Sequence, residues 1–126
     1  MMATLFVFLG AGVGGALRHG VNLACARLLG VQFPWGTFTV NVIGSFVIGL
    51  AAGWFALRSG GSSQSLRLFL VTGILGGFTT FSSFSLDVAL LWERGAAMLA
   101  AGYVLSSVVL SIAAVFSGLA LMRAML

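Results

Sequence analysis

The residues able to do chemistry are few, and their spacing groups most of them on helix faces. Thr37, Asn41 and Ser45 recur every four residues and continue into Gly49 and Gly53. That is one face of one helix, polar at one end and bare at the other. Tyr103, Ser107 and Ser111 repeat the same spacing, as do Gly10, Gly14, Arg18 and Asn22. Asn41 carries two N–H donors at mid-helix, which packing explains poorly, so it is expected to line a path. Phe81 and Phe84 are three apart and share a helix face. The edge of a phenyl ring is its positive end. Ring edges beside amide and hydroxyl donors can contact a small anion without the full charge that would trap it. Conduction requires that balance between entering and leaving. Packing is the other reading: Phe78, Phe81 and Phe84 filling a helix interface, with serines and threonines bonded back to their own helices.

The elements that must position these residues are membrane helices. Of 126 residues, 60% are hydrophobic and 6% charged, against about 25% charged in soluble domains. The uncharged stretches define four spans, about 3–29, 35–57, 66–92 and 95–122, each long enough for the roughly 20 residues that cross a bilayer core. They use the whole chain and describe one four-helix transmembrane domain, 1–126, with no room for a soluble one. Pro34 opens the second span, where its missing N–H costs nothing. Residues 58–63 read as a polar turn, and Glu93-Arg94-Gly95 as a tight one. Trp35 and Trp54 lie roughly 28 Å apart along a helix, which suits one aromatic at each interface. The first apolar run has no basic segment before it and is too long for a cleaved signal, so it reads as a retained helix.

The third span departs from a regular helix. It runs Gly73-Ile74-Leu75-Gly76-Gly77-Phe78-Thr79-Thr80-Phe81-Ser82-Ser83-Phe84-Ser85. Adjacent glycines followed by β-branched and hydroxyl residues disfavour continuous helix. A break inside a membrane occurs where the freed backbone is buried or holds an ion, and freed carbonyls suit a hard monovalent cation. The pairs Gly10/Gly14, Gly49/Gly53 and Gly73/Gly77 are small-xxx-small spacings that let helices approach closely. Charge leaves the orientation undecided. Arg58, Arg67 and Arg123 fall on one side and Arg18, Arg27 and Arg94 on the other. With no bias in the short loops, the chain is expected to insert both ways and pair as an antiparallel, dual-topology homodimer; the other reading is that flanking lipids or the insertion machinery choose one orientation.

Three runs are specific enough to carry a resemblance. Gly14-Gly15-Ala16-Leu17-Arg18, Pro34-Trp35-Gly36-Thr37-Phe38-Thr39-Val40-Asn41 and Gly76-Gly77-Phe78-Thr79-Thr80-Phe81-Ser82-Ser83-Phe84-Ser85 closely resemble the motifs of the Fluc (CrcB-type) fluoride channel family, in that family's order and spans. The resemblance covers essentially the whole chain. It implies an all-α membrane protein with a broken third helix, forming an antiparallel homodimer with two fluoride pores. The implied activity is passive, fluoride-selective export from the cytoplasm across the inner (plasma) membrane of a prokaryote. It further implies a pore lined by Phe81, Phe84 and the Asn41 amide, with a polar track of Tyr103, Ser107 and Ser111. Thr37 and Ser82 are counted with the pore hydroxyls. A structural sodium ion is implied at the dimer centre, held by the Gly76 and Thr79 carbonyls of both copies, and Arg18 would lie near the aqueous vestibule. Ser83 stands where the family more usually has threonine, Asp87 where it has glutamate, and His19 where it often has an aromatic residue.

Other function classes fit less well. The pI near 11.3 reflects a shortage of acids; no two arginines are closer than nine residues and there is no lysine, so a nucleic-acid surface is not expected. One cysteine, Cys25, and one histidine, His19, exclude a disulfide framework and a cysteine or histidine metal cluster. No carboxylate pair or nucleophile–base pair supports an enzyme. A small proton-coupled exporter resembling the small multidrug resistance family needs an acid in its first helix, and this first span has none. A structural membrane subunit would not need Asn41 and the irregular third span together.

Overall fold

The computed structural model describes residues 1–57 and 64–126; the polar turn expected at 58–63 lies outside the described residues. It is all helical, with four helices long and apolar enough to cross a membrane: Met2–Leu29, Trp35–Leu57, Gln64–Glu93 and Ala97–Met125. We label Met2–Leu29 α1 and Trp35–Leu57 α2. The third span contains α3 (64–78) and α4 (Phe81–Glu93), and Ala97–Met125 is α5.

Close backbone approach holds the spans together. In lipid there is no hydrophobic drive between helices, so van der Waals fit decides which faces meet. α1 lies on α3, and the contact is made of glycines. A methyl added to Gly10 would come within 2.9 Å of the Gly73 Cα, and one on Gly77 within 2.5 Å of the Ala11 carbonyl oxygen. α2 lies along α5 in the same way, with Gly49 against Val115 and Gly118 against Phe46 and Leu50. The small-xxx-small spacings therefore sit on the two main helix–helix contacts.

Within α3 the residues Leu68–Leu75 wind as a wider π-helix, a form that tends to occur at functional sites. The Gly76-Gly77 pair remains helical, with Gly76 at φ −63° and ψ −36°. The extended residues come next: Thr79 at φ −85°, ψ 159° and Thr80 at φ −156°, ψ 121°. Gly77 serves close packing on α1, and it is the β-branched threonines that adopt the extended backbone they favour. Thr80 then caps α4, its hydroxyl accepting a 3.2 Å hydrogen bond from the Ser83 N–H. The Thr80 hydroxyl thus faces the start of a new helix.

The α4–α5 turn is a paired-bond helix stop. Gly95 N–H reaches the Trp92 carbonyl at 3.0 Å and Ala96 N–H the Leu91 carbonyl at 2.9 Å, with Gly95 at φ 83°. This is the Schellman arrangement, which wants glycine at the left-handed position. Gly95→Ala is expected to cost about 1 kcal/mol, the usual penalty for a Cβ at such a backbone, read as a small drop in the melting temperature of the purified protein with activity retained. The described core of the bundle is small and lies at this end: Leu91, Ala100 and Tyr103 are buried, with Phe33, Phe38 and Phe84 packed around them.

Candidate functional site

α2 meets the extended threonines through one side chain. Asn41 Nδ2 donates to the Thr80 carbonyl at 3.0 Å, and Thr80 N–H donates to Asn41 Oδ1 at 2.8 Å. The amide therefore holds two successive peptide groups, the N–H that precedes the Thr80 Cα and the carbonyl that follows it, and one Asn41 N–H remains for another acceptor. One helical turn on, Gly44 gives room for the Thr79 methyl, which an added Cβ would overlap, and for the Phe78 ring at 3.3 Å.

Beside this clamp is an open groove of about 260 Å³. Asn41 and Ser45 enter it from α2, Phe81 and Phe84 from α4, and Ser107 and Ser111 from α5, with Thr79 and Thr80 at its floor. No charged side chain lines it. The two rings lie 5.6 Å apart between centroids at 44°. The Ser107 hydroxyl is buried and has no hydrogen-bond partner. A buried hydroxyl without a partner costs free energy unless something accepts its proton. The groove thus offers neutral donors and two phenyl rings, and no charged side chain.

The structure brings together seven of the residues singled out from the sequence, Asn41, Ser45, Thr79, Phe81, Phe84, Ser107 and Ser111, in that groove. It places the others elsewhere. Tyr103 is fully buried, and its hydroxyl donates to Asp87 Oδ2 at 3.0 Å. Its ring packs on Phe84 at 5.1 Å and edge-on to Phe33 at 5.3 Å. Thr37 is buried and lines a second, larger cavity of about 390 Å³ with Asn22, Gln32, Ser83, Asp87 and Arg94. Ser82 is exposed, its hydroxyl 3.3 Å from that of Thr80. Arg18 is half-buried and lines neither cavity; the guanidinium at the larger one is Arg94, which also donates to the Gln32 carbonyl.

The chain matches the family described as CrcB-like protein, Camphor Resistance (CrcB), over residues 5–119. The chain belongs to the CrcB family. Among CrcB relatives, a protein of Rhodopseudomonas palustris strain BisB5 named fluoride-specific ion channel FluC is 63% identical over 123 residues, covering 98% of both chains. One of the same name from Methylobacterium nodulans is also 63% identical over 123 residues, with 98% of each chain covered. Another, from Granulibacter bethesdensis, is 52% identical over 126 residues, 100% of this chain and 98% of the relative.

Among the carbonyls of this CrcB chain that have lost their helical donors at the extended residues are those of Gly76 and Thr79. The regular pattern would send the Thr80 N–H to the Gly76 carbonyl and the Ser83 N–H to that of Thr79. Here Thr80 N–H goes to Asn41 and Ser83 N–H to the Thr80 hydroxyl. Neutral backbone oxygens of this kind fit a hard monovalent cation better than a transition metal. No group of three or more acidic, histidine or cysteine side chains that could hold a metal occurs among the described residues.

Sequence reasoning missed two contacts. Asp87 was singled out only as a departure, and its bond to Tyr103 has no signal in the spacing. Thr80 did carry a signal, since threonine is among the residues preferred at the N-cap just before a helix.

Proposed function

We propose that the chain is a fluoride-selective channel that lets fluoride leave the cytoplasm passively. The observation that carries this reading is the charge-free groove in which Asn41, Phe81, Phe84, Ser107 and Ser111 converge. The relatives named fluoride-specific ion channel, at up to 63% identity, supply the ion. Fluoride is small and strongly hydrated, so it must exchange water for other donors. The free Ser107 hydroxyl, the remaining Asn41 N–H, Ser111 and the phenyl edges are suited to take water's place. Their neutrality keeps binding weak enough for release, and a narrow groove would reject the larger chloride.

The working unit in this reading is an antiparallel dimer with two pores, inserted in both orientations in a prokaryotic inner membrane. Support comes from the third span. Gly76 and Ser82 are exposed on one chain, beside the extended Thr79 and Thr80. Polar backbone at mid-membrane cannot face lipid, so protein must cover it. A methyl added to Gly76 meets only the Val71 carbonyl, at 3.7 Å, so the room beside it suits a second copy. The third span would then be a broken transmembrane helix, with a sodium ion at the dimer centre held by the Gly76 and Thr79 carbonyls of both copies. That ion would neutralise the released backbone and join the subunits. Asp87 and Arg94 at the larger cavity would form an aqueous mouth together with Thr37.

Liposomes loaded with fluoride and holding the purified protein test the reading. Fast efflux at a fluoride electrode, unchanged by a proton gradient and with chloride retained, is the expected result. Efflux that follows the proton gradient would make the protein a coupled exporter. No efflux from a folded dimer would remove the channel reading.

A further inference from the structure

We propose that Asn41 is a positioning residue that sets the course of the third span, so that one amide serves both the groove and the cation site. The inference rests on the reading above for the cation, but its geometry is independent of it. Thr80 has its backbone N–H and its carbonyl, which belong to successive peptide groups, both bonded to the Asn41 amide, at 2.8 and 3.0 Å. These partners are 39 residues apart, so the clamp is made by α2 docking on the third span. Gly44, on the same face of α2, leaves the space in which the Thr79 methyl lies. Asn41 and Gly44 together form a seat for the extended residues.

The clamp has a direct competitor. Without Asn41 the Thr80 N–H still needs an acceptor, because lipid and apolar side chains supply none. The acceptor that helix geometry offers is the Gly76 carbonyl. Taking it would straighten the chain at Thr79 and remove one oxygen from the cation site. Asn41 thus holds the Gly76 carbonyl open by occupying its natural donor. The Thr80 hydroxyl does the same for Thr79 by capping Ser83. Loss of Asn41 is therefore expected to affect sodium binding as well as fluoride flux, which a residue acting only as an anion donor would not do.

The test is the sodium dependence of thermal stability of the purified full-length dimer. A ligand that binds only the folded state raises stability with its concentration over its dissociation constant, so the sodium concentration for half-maximal stabilisation reports affinity. Asn41→Leu is expected to raise that concentration at least about tenfold, equivalent to ~1.4 kcal/mol. Asn41→Asp keeps the acceptor for the Thr80 N–H but, when charged, has no donor for the Thr80 carbonyl, so its sodium response should fall between those of the wild type and Asn41→Leu. An Asn41→Leu dimer with an unchanged sodium response overturns the proposal. So does a wild type whose stability ignores sodium, a result that leaves fluoride efflux to judge the channel separately. Where Asn41→Leu does not fold, amide exchange of the wild type decides. Slow exchange at Thr80 supports the clamp, and exchange as fast as in an open loop overturns it.

Discussion

Replacing Phe84 by isoleucine is expected to lower fluoride flux at least about tenfold while the protein still assembles. Tenfold corresponds to ~1.4 kcal/mol of lost anion stabilisation at the barrier. Isoleucine keeps an apolar side chain in the groove but has no positive edge to present. Phe84 is half-buried between the Phe81 ring at 5.6 Å and the Tyr103 ring at 5.1 Å. Losing such ring pairs costs about 0.5–1.5 kcal/mol each, enough to lower a melting temperature and too little to prevent folding. Phe81 is 78% exposed on one chain, so Phe81→Ile should disturb the single chain even less and flux as much. Efflux rates per dimer, taken after size-exclusion confirms assembly, check both. Wild-type rates from both variants would leave the ring edges without a role and return the pair to packing.

Gly14→Val is expected to leave no folded protein. A Cβ on Gly14 would overlap the Ile74 carbonyl and lie 2.8 Å from the Phe78 N. Both neighbours are backbone, so no side-chain rotation relieves the clash. α1 would have to separate from α3, losing the contacts of Gly10, Gly73 and Gly77 as well. Overpacking alone costs about 1–3 kcal/mol, and membrane helices have no hydrophobic term between them to compensate. Loss of the monodisperse peak in detergent is the measurement. A Gly14→Val protein that elutes and melts like the wild type would show that the two helices lie farther apart than described here.

Much of the architecture is legible in the sequence because a bilayer imposes a simple rule. Every span must be apolar and close to 20 residues, so the long charge-free stretches mark the four helices, and most of the few charges lie near their ends, Arg18 and Asp87 excepted. Glycine spacing is nearly as direct: Gly10, Gly14, Gly73 and Gly77 repeat every four residues because two backbones must touch there. The row Tyr103, Ser107 and Ser111 is visible as a helical face, but a face does not say what it meets. Ser107 and Ser111 enter the groove, whereas Tyr103 turns its hydroxyl to Asp87. The helical period alone cannot separate those outcomes.

Where the third span bends is also a tertiary result. Local propensity pointed to the whole run of glycines, β-branched and hydroxyl residues without choosing among them; Gly76 and Gly77 stay helical and the chain extends at Thr79 and Thr80. A glycine lowers the cost of leaving a helix; it does not supply new partners for the peptide groups that leave. Asn41 supplies them for Thr80 from 39 residues away. The sequence by itself determined that a neutral amide, phenyl rings and hydroxyls would share apolar helices. Only the packing of α2 against the third span decided which residue's backbone that amide would hold, because a hydrogen bond depends on the position of both its ends.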